Sequence, residues 1–274
     1  MGIHLGIDLG GSKIEIIVLD DERVELFRRR VPTPRGDYQG TLGIGIPGAE
    51  SRFSGLIKNA NSTWLIGQPL RRDLQELLRR PVRLSNDANC FVLSEATDGA
   101  AAGVPVVFGV ILGSGVGGGI VVNGHVLAGA NRIAGEWGHN RLPGDEVLWP
   151  ACYCGRSGCI ETFLSGPGLQ ADHAQITGET LTPYEIDARA AQGDKACEAT
   201  LCRYEQRLAR ALAQVINILD PDVIVLGGGL SNLMRLYDNV PKLWGEHVFS
   251  DRVMTRFLKN RHGDSLGVRG AAWL

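Results

Sequence analysis

One pattern occurs twice in the chain: an apolar run, a glycine-rich turn, then a second apolar run. Residues 3–8 (IHLGID) lead into Leu9-Gly10-Gly11-Ser12-Lys13 and then IEIIVLD (14–20). Residues 106–112 (VVFGVIL) lead into Gly113–Gly119 and then IVVNG (120–124). Short apolar runs bounded by glycine read as buried strands joined by tight hairpins. In the first copy a third strand near 24–31 completes a meander. Helical patterns follow in both copies, so the chain reads as two similar α/β halves facing a cleft. The 37 glycines among 274 residues concentrate at 10–11, 43–48, 113–119 and 227–229, each beside an apolar run. Backbone amides approach a phosphate closely only where no Cβ intervenes. Two such loops at matching positions therefore point to one nucleotide, with Gly227-Gly228-Gly229 suited to its base or ribose. The Walker pattern is absent. The G-x-G-x-x-G letters at 113–118 precede a strand rather than a helix, which sets aside P-loop and dinucleotide readings.

After the second copy, and carried by it, lies the densest chemistry, Gly135 to Glu161. Cys152, Cys154 and Cys159 form C-x-C-x4-C, and His139 stands 13 positions before the first of them. Three thiolates and an imidazole suit a closed tetrahedral zinc site. Gly155 and Gly158 supply turns that let close thiols converge. Glu136 and Glu161 flank the ligands, so a metal there would hold two carboxylates near one another, as a polyhydroxylated ligand requires. Cys90, Cys197 and Cys202 read as small buried side chains.

Elsewhere, strands are expected at 41–47 and 81–85 and helices at 68–80 and 89–102. A long helix should follow the N-cap Asp194 and end at Pro221, ahead of a buried strand at 222–230 and a closing helix in 262–274. A net charge of −2 gives no electrostatic case for nucleic acid or an anionic membrane. Val104–Leu112 is too short to span a bilayer. MGIHLGIDLGG lacks the features of a signal peptide, so a cytoplasmic protein is expected.

With these residues placed, the chain resembles sugar kinases of the ROK family, and within it the bacterial fructokinases of the manno(fructo)kinase type. The matching stretches are GIDLGGSK (6–13), GIGIPG (43–48), KNANSTWLIGQPL (58–70), LSNDANC (84–90), ILGSGVGGGI (111–120), AGEWGHNRLP (134–143), CYCGRSGCIETFLSGPG (152–168), ILDPDVIVLGGGLSN (218–232) and HGDSLGVRGAAWL (262–274). The resemblance implies the α/β actin-like ATPase fold, a duplicated ribonuclease H-like architecture. Its two domains would be 1–104 plus 263–274, and 105–262 with the zinc insertion. It implies transfer of the ATP γ-phosphate to a hexose hydroxyl with Mg²⁺, most simply D-fructose to fructose 6-phosphate. The alternatives are a kinase for N-acetylglucosamine, glucose or mannose, or a catalytically impaired sugar-binding remnant. A sugar-sensing repressor would need an N-terminal helix-turn-helix, for which a first strand at residue 3 leaves no room.

Carried over residue by residue, ATP falls on Gly6, Asp8, Gly10, Gly11, Ser12, Lys13, Gly113, Ser114, Gly115, Gly117, Gly118 and Gly119, joined by Gly227, Gly228 and Gly229. The sugar falls on Asn61, Asn86, Asp87, Glu136, His139 and Glu161. The catalytic base falls on Asp87, and structural Zn²⁺ on His139, Cys152, Cys154 and Cys159, with one His139 nitrogen on zinc and the other free to face the sugar. Asp87 alternatively caps a helix, Asn61 a turn and Asp8 a hairpin. The resemblance also implies a homodimer. One departure stands out: the family places a helix of about 20 residues, some five turns, before GIGIPG. Here Val31 to Leu42 is a dozen residues, and the stretch from Pro143 to Cys152 is short as well.

Overall fold

A computed structural model describes residues 41–60, 62–263 and 267–274 in full, and 3–9, 13–20, 25–32 and 266 by their backbone. Two compact units make up the chain, Met1–Thr41 and Leu42–Leu274.

The first unit is the expected meander. Strands β1 (Ile3–Leu9), β2 (Lys13–Asp20) and β3 (Glu25–Pro32) pair antiparallel in that order. Leu9 at the end of β1 lies opposite Ile14 of β2.

The second unit opens with β4 (Leu42–Ile46) and the short ladder of β5 (Ala49–Glu50) and β6 (Ile57–Lys58). Helix α1 (Leu70–Leu78) follows, then β7 (Val82–Asn86), parallel to β4, and α2 (Asp87–Thr97). Leu70 packs on the cluster of Ile46, Ile57 and Ala60, whereas Leu77 is 78% exposed. The leucines of α1 are thus only partly buried within this unit.

The principal sheet is built from β8 (Val106–Leu112), β9 (Val116–Val122), β10 (His125–Val126), β11 (Val223–Gly227) and β12 (Arg256–Lys259). Its order is β10-β9-β8-β11-β12, with β11 parallel to both β8 and β12. The second hairpin is tighter than its letters suggest. Strand β9 begins at Val116, not Ile120, so the turn is Gly113–Gly115 and Gly117–Gly119 belong to the strand.

Between β8 and β11 the chain forms α3 (Ile160–Leu164), α4 (Gly166–Thr177), α5 (Pro183–Ala191) and α6 (Lys195–Leu219). Helices α7 (Arg235–Leu243) and α8 (Leu266–Ala272) follow β11 and β12. Asp194 caps α6 by accepting from the amides of Ala196 and Cys197, and the helix stops at Asp220 (φ 47°) ahead of Pro221.

Period-2 alternation sorts the sheet residues between two cores. Val107, Val121, Val223 and Val225 pack with Phe91 and Val92 of α2 on one face. Phe108, Val110, Ile224 and Leu226 pack with Leu208 and Leu212 of α6 on the other. Helix α2 lies against β9 because the strand is glycine there: a Cβ on Gly119 would sit 2.7 Å from the Ala88 carbonyl oxygen.

A nearly buried ion network ties the 144–149 loop to α4 and α6. Arg207 donates to Glu146 at 2.8 Å and to Asp172 at 2.7 Å. Removing one partner strands buried charge. Arg207→Ala is therefore expected to lower the unfolding free energy by about 3–5 kcal/mol, read as a shift in urea midpoint. Among the described residues no helix is long and apolar enough to cross a membrane.

Candidate active site and metal centre

Asp87 and Asn86 sit where β7 passes into α2. The extended backbone of Asn86 (φ −61°, ψ 148°) makes it the N-cap, its side-chain oxygen accepting from the Ala88 amide at 2.9 Å. Its amide nitrogen donates to the Gly48 carbonyl at 3.1 Å. Capping therefore belongs to Asn86 rather than to Asp87, and the Asn86 side chain also hydrogen-bonds the Asp87 carboxylate. Asp87 accepts from the Ala88 amide at 2.8 Å. Its carboxylate is open to solvent on one side and crowded by protein on the other. That partial burial raises its pKa above the ordinary 3.8, against the lowering effect of the amide bonds and Asn86.

Glu136 and His139 are held by backbone packed directly on β9. Gly135 has φ 93°, and a Cβ there would meet the Gly118 carbonyl oxygen at 2.5 Å. Gly138 is as tight against the Val116 carbonyl. Between them Trp137 donates its indole N–H to the Gly117 carbonyl at 3.1 Å and meets Phe108 edge-on. The Trp137–His139 turn is thus clamped to the hairpin strand. Glu161, in the first turn of α3, accepts from the Val116 amide at 2.9 Å. Burial pushes the Glu136 carboxyl above its usual range. The charge of His139 opposes this, and those of Asp87 and Glu161 reinforce it. Asp87, Glu136, His139 and Glu161 therefore share one electrostatic neighbourhood, as expected from the sequence.

His139, Cys152, Cys154 and Cys159 bring their ligand atoms within 4.8 Å of one another. Nδ1 of His139 lies 3.6 Å from Sγ of Cys152, and Cys154 and Cys159 sulfurs are 3.6 Å apart. A tetrahedral zinc with bonds of 2.0–2.3 Å has ligand–ligand edges of about 3.6–3.8 Å, so the donor set and spacing fit that ion. Gly155 and Gly158 adopt positive φ in the knuckle, and a Cβ on Gly158 would collide with Trp149 at 2.2 Å. Arg156 draws the Cys154 thiol down to about 6, toward the thiolate form that binds metal. The other His139 nitrogen, Nε2, meets the Tyr153 hydroxyl at 3.0 Å. Its neighbour is thus a side chain for which the sequence reading assigned no role, although Tyr153 stands between two ligand cysteines.

The glycine assignments divide. Gly113, Ser114, Gly115 and Gly229 remain accessible. Gly118, Gly119 and Gly227 are buried, their missing side chains making room for Trp137, α2 and the Phe91 ring. These three serve packing, a correction to their reading as a phosphate or nucleoside surface. Gly117 lies in β9 beside Ala88 and Gly228 turns at φ 80° against the Leu112 carbonyl. Gly10, Gly11, Ser12 and Asn61 lie outside the described residues, as do the side chains of Asp8 and Lys13, while Gly6 is placed within β1 by its backbone.

Sequence reasoning passed over the ties that join the segments around this site. Buried Glu50 pairs with Arg71 at 2.7 Å and with Arg132 at 3.2 Å, and Lys58 donates to the Asn131 carbonyl at 2.9 Å. A lone acid in a loop carries no signal of its own; only the fold reveals that its partners come from α1 and the 127–135 loop. Cys90 and Cys197 are buried as expected, and Cys202 is half-buried.

Comparison with known proteins adds three findings. The model of the ROK family matches residues 36–274. The N-acetyl-D-glucosamine kinase of Yersinia pseudotuberculosis serotype O:1b is 41% identical over 299 residues, covering 99% of this chain and 98% of that protein. That span exceeds the chain's 274 residues, so the relative carries stretches that this chain lacks. Two solved structures are similar throughout. The ROK hexokinase from Thermus thermophilus has a TM-score of 0.75 and 29% identity, covering 99% and 97% of the two chains. The ROK family glucokinase from Streptomyces griseus, in complex with glucose and AMPPNP, has a TM-score of 0.72 and 27% identity, covering 99% and 98%.

Proposed function

The chain belongs to the ROK family, and from that premise we propose that it is an ATP-dependent sugar kinase whose acceptor is N-acetyl-D-glucosamine. Its α/β architecture is the actin-like ATPase fold. The observation that carries the reading is the gathering of Asp87, Glu136, His139 and Glu161 around the β8–β9 hairpin and the start of α2. A sugar presents several hydroxyls, and a site of carboxylates, an amide and an imidazole binds them by matched hydrogen bonds.

In this reading Asn61, Asn86, Glu136, His139 and Glu161 hold the hexose, the Nε2–H of His139 exchanging its Tyr153 partner for a sugar hydroxyl, and Asp87 orients the acceptor hydroxyl and takes its proton. The hydroxyl oxygen bonds to the γ-phosphorus while the bond to the β–γ bridging oxygen breaks, and ADP leaves. The phosphates are assigned to Gly113, Ser114 and Gly115, and by resemblance to Gly6, Asp8, Gly10, Gly11, Ser12 and Lys13. Magnesium bound with ATP would supply charge neutralisation on the phosphate oxygens. Zinc would be held by His139, Cys152, Cys154 and Cys159, leaving no open position, and would serve to fix the imidazole and the start of α3. A homodimer, a cytoplasmic location and functional halves at 1–104 plus 263–274 and 105–262 belong to the same proposal.

The choice of acceptor departs from the fructose that the motifs first suggested. Relatives named N-acetyl-D-glucosamine kinase at about two-fifths identity over nearly the whole chain support the alternative. Initial rates with N-acetylglucosamine, glucose, mannose and fructose test it. The highest kcat/KM is expected for N-acetylglucosamine, and a higher value for fructose would overturn the acceptor. Because Asp87 must be ionised to act, and burial raises its pKa, activity should rise with pH. The acid limb of kcat/KM is expected above the ordinary 3.8, and a rate flat down to pH 4 would contradict the assignment.

A further inference from the structure

A closed circuit of contacts surrounds the C-terminal ends of β8 and β11, and one exposed aromatic ring stands on it. The Gly166 amide, at the start of α4, donates to the Gly113 carbonyl at 2.7 Å. Gly166 also lies against the ring of Pro183, at 3.8 Å from where its Cβ would be. The next residue, Tyr184, donates its hydroxyl to the Gly229 carbonyl at 3.1 Å. Gly228, adjoining, is pressed on the carbonyl of Leu112, which leads back to Gly113. Four of these positions are glycine, so the rim is mostly bare backbone. Tyr184 is 55% exposed although its hydroxyl is tethered. In open α/β sheets, ligands bind outside the carboxyl ends of parallel strands, and β8 and β11 are parallel neighbours ending here.

We propose that Tyr184 is the aromatic wall on which the purine base of the nucleotide stacks, a specificity-determining residue of the ATP site. The inference rests on the kinase reading and adds to it the residue that recognises the base. An exposed ring held by its hydroxyl loses little freedom on binding and offers a π-face to a base. Nothing in the capping of α5 requires an aromatic there, since Thr182 and Glu185 complete the capping box on their own.

Calorimetric titration of MgADP and of magnesium pyrophosphate separates the base from the phosphates. For Tyr184→Leu the ADP Kd is expected to rise about tenfold, within the range of base–aromatic stacking, with pyrophosphate unchanged. Tyr184→Phe keeps the ring and loses only the tether, and should bind ADP within about twofold of the parent. Unchanged ADP affinity in Tyr184→Leu would overturn the inference. So would an equal loss in Tyr184→Phe, which would make the hydroxyl a structural tie. A parent protein that binds neither ADP nor ATP would overturn the kinase reading and the inference with it.

Discussion

Asp87→Asn is expected to lower kcat by about 10²–10⁴-fold, to leave sugar affinity within a few-fold and to leave the melting temperature unchanged or higher. The rate loss follows from removing the acceptor of the hydroxyl proton while keeping a polar group of the same shape. The stability expectation follows from linkage. The folded pKa of Asp87 is raised above its unfolded value by burial. Its contribution to stability is therefore fully present below the unfolded pKa and is lost as pH rises through the folded value. At neutral pH the charged form opposes folding, and asparagine removes that charge. Because the carboxylate is open to solvent on one side, the gain is small. A fall in both rate and melting temperature would instead assign Asp87 a structural role, and a full rate in Asp87→Asn would remove it as the base.

Metal removal is expected to have the other large effect. Purified protein should carry one zinc per chain. Stripped protein should lose activity and melt at a distinctly lower temperature, both restored by zinc. Structural zinc sites contribute on the order of 10 kcal/mol in small domains, comparable with the entire stability of an ordinary one. Here the ligands hold functional side chains. His139 follows Glu136 by one turn, and Cys159 is the buried N-cap residue of α3, two positions before Glu161. Without the ion, three close sulfurs and an imidazole have no common partner, and the Cys152–Cys159 turn loses its anchor. Cys159→Ser should reproduce the metal-free state. A metal-free protein that is folded and fully active would contradict the structural role of zinc.

Most of the element order could be read from the sequence, because strand and helix periods and their punctuation are local. Asp194, Pro221 and the β11 run placed α6 and its successor almost to the residue. The His139 and cysteine cluster was legible for the same reason, its spacing being itself the signal. The Gly113–Gly119 stretch misled because glycine serves both loops and close packing. Only the packing of Trp137 and of α2 on β9 reveals that Gly118 and Gly119, respectively, make room for protein. The N-cap could not be read between adjacent residues, since Asn86 and Asp87 are both good caps and the backbone angle decides for Asn86. The bonds of Glu50, Lys58 and Tyr184 join residues from 21 to 82 positions apart, and no local pattern announces them. The acceptor sugar was illegible for a further reason: hydroxyl-binding residues are shared among hexoses, and what distinguishes an acetamido group is the shape around it.

The central claim is phosphoryl transfer from ATP to a sugar. Its most direct test is the stoichiometry of the reaction with Mg-ATP and N-acetylglucosamine, with ADP and phosphorylated sugar measured together. Equal amounts of ADP and sugar phosphate, formed only when the sugar is present, are the predicted result. ADP formed at the same rate without sugar, or no ADP with any of the four hexoses, would contradict it.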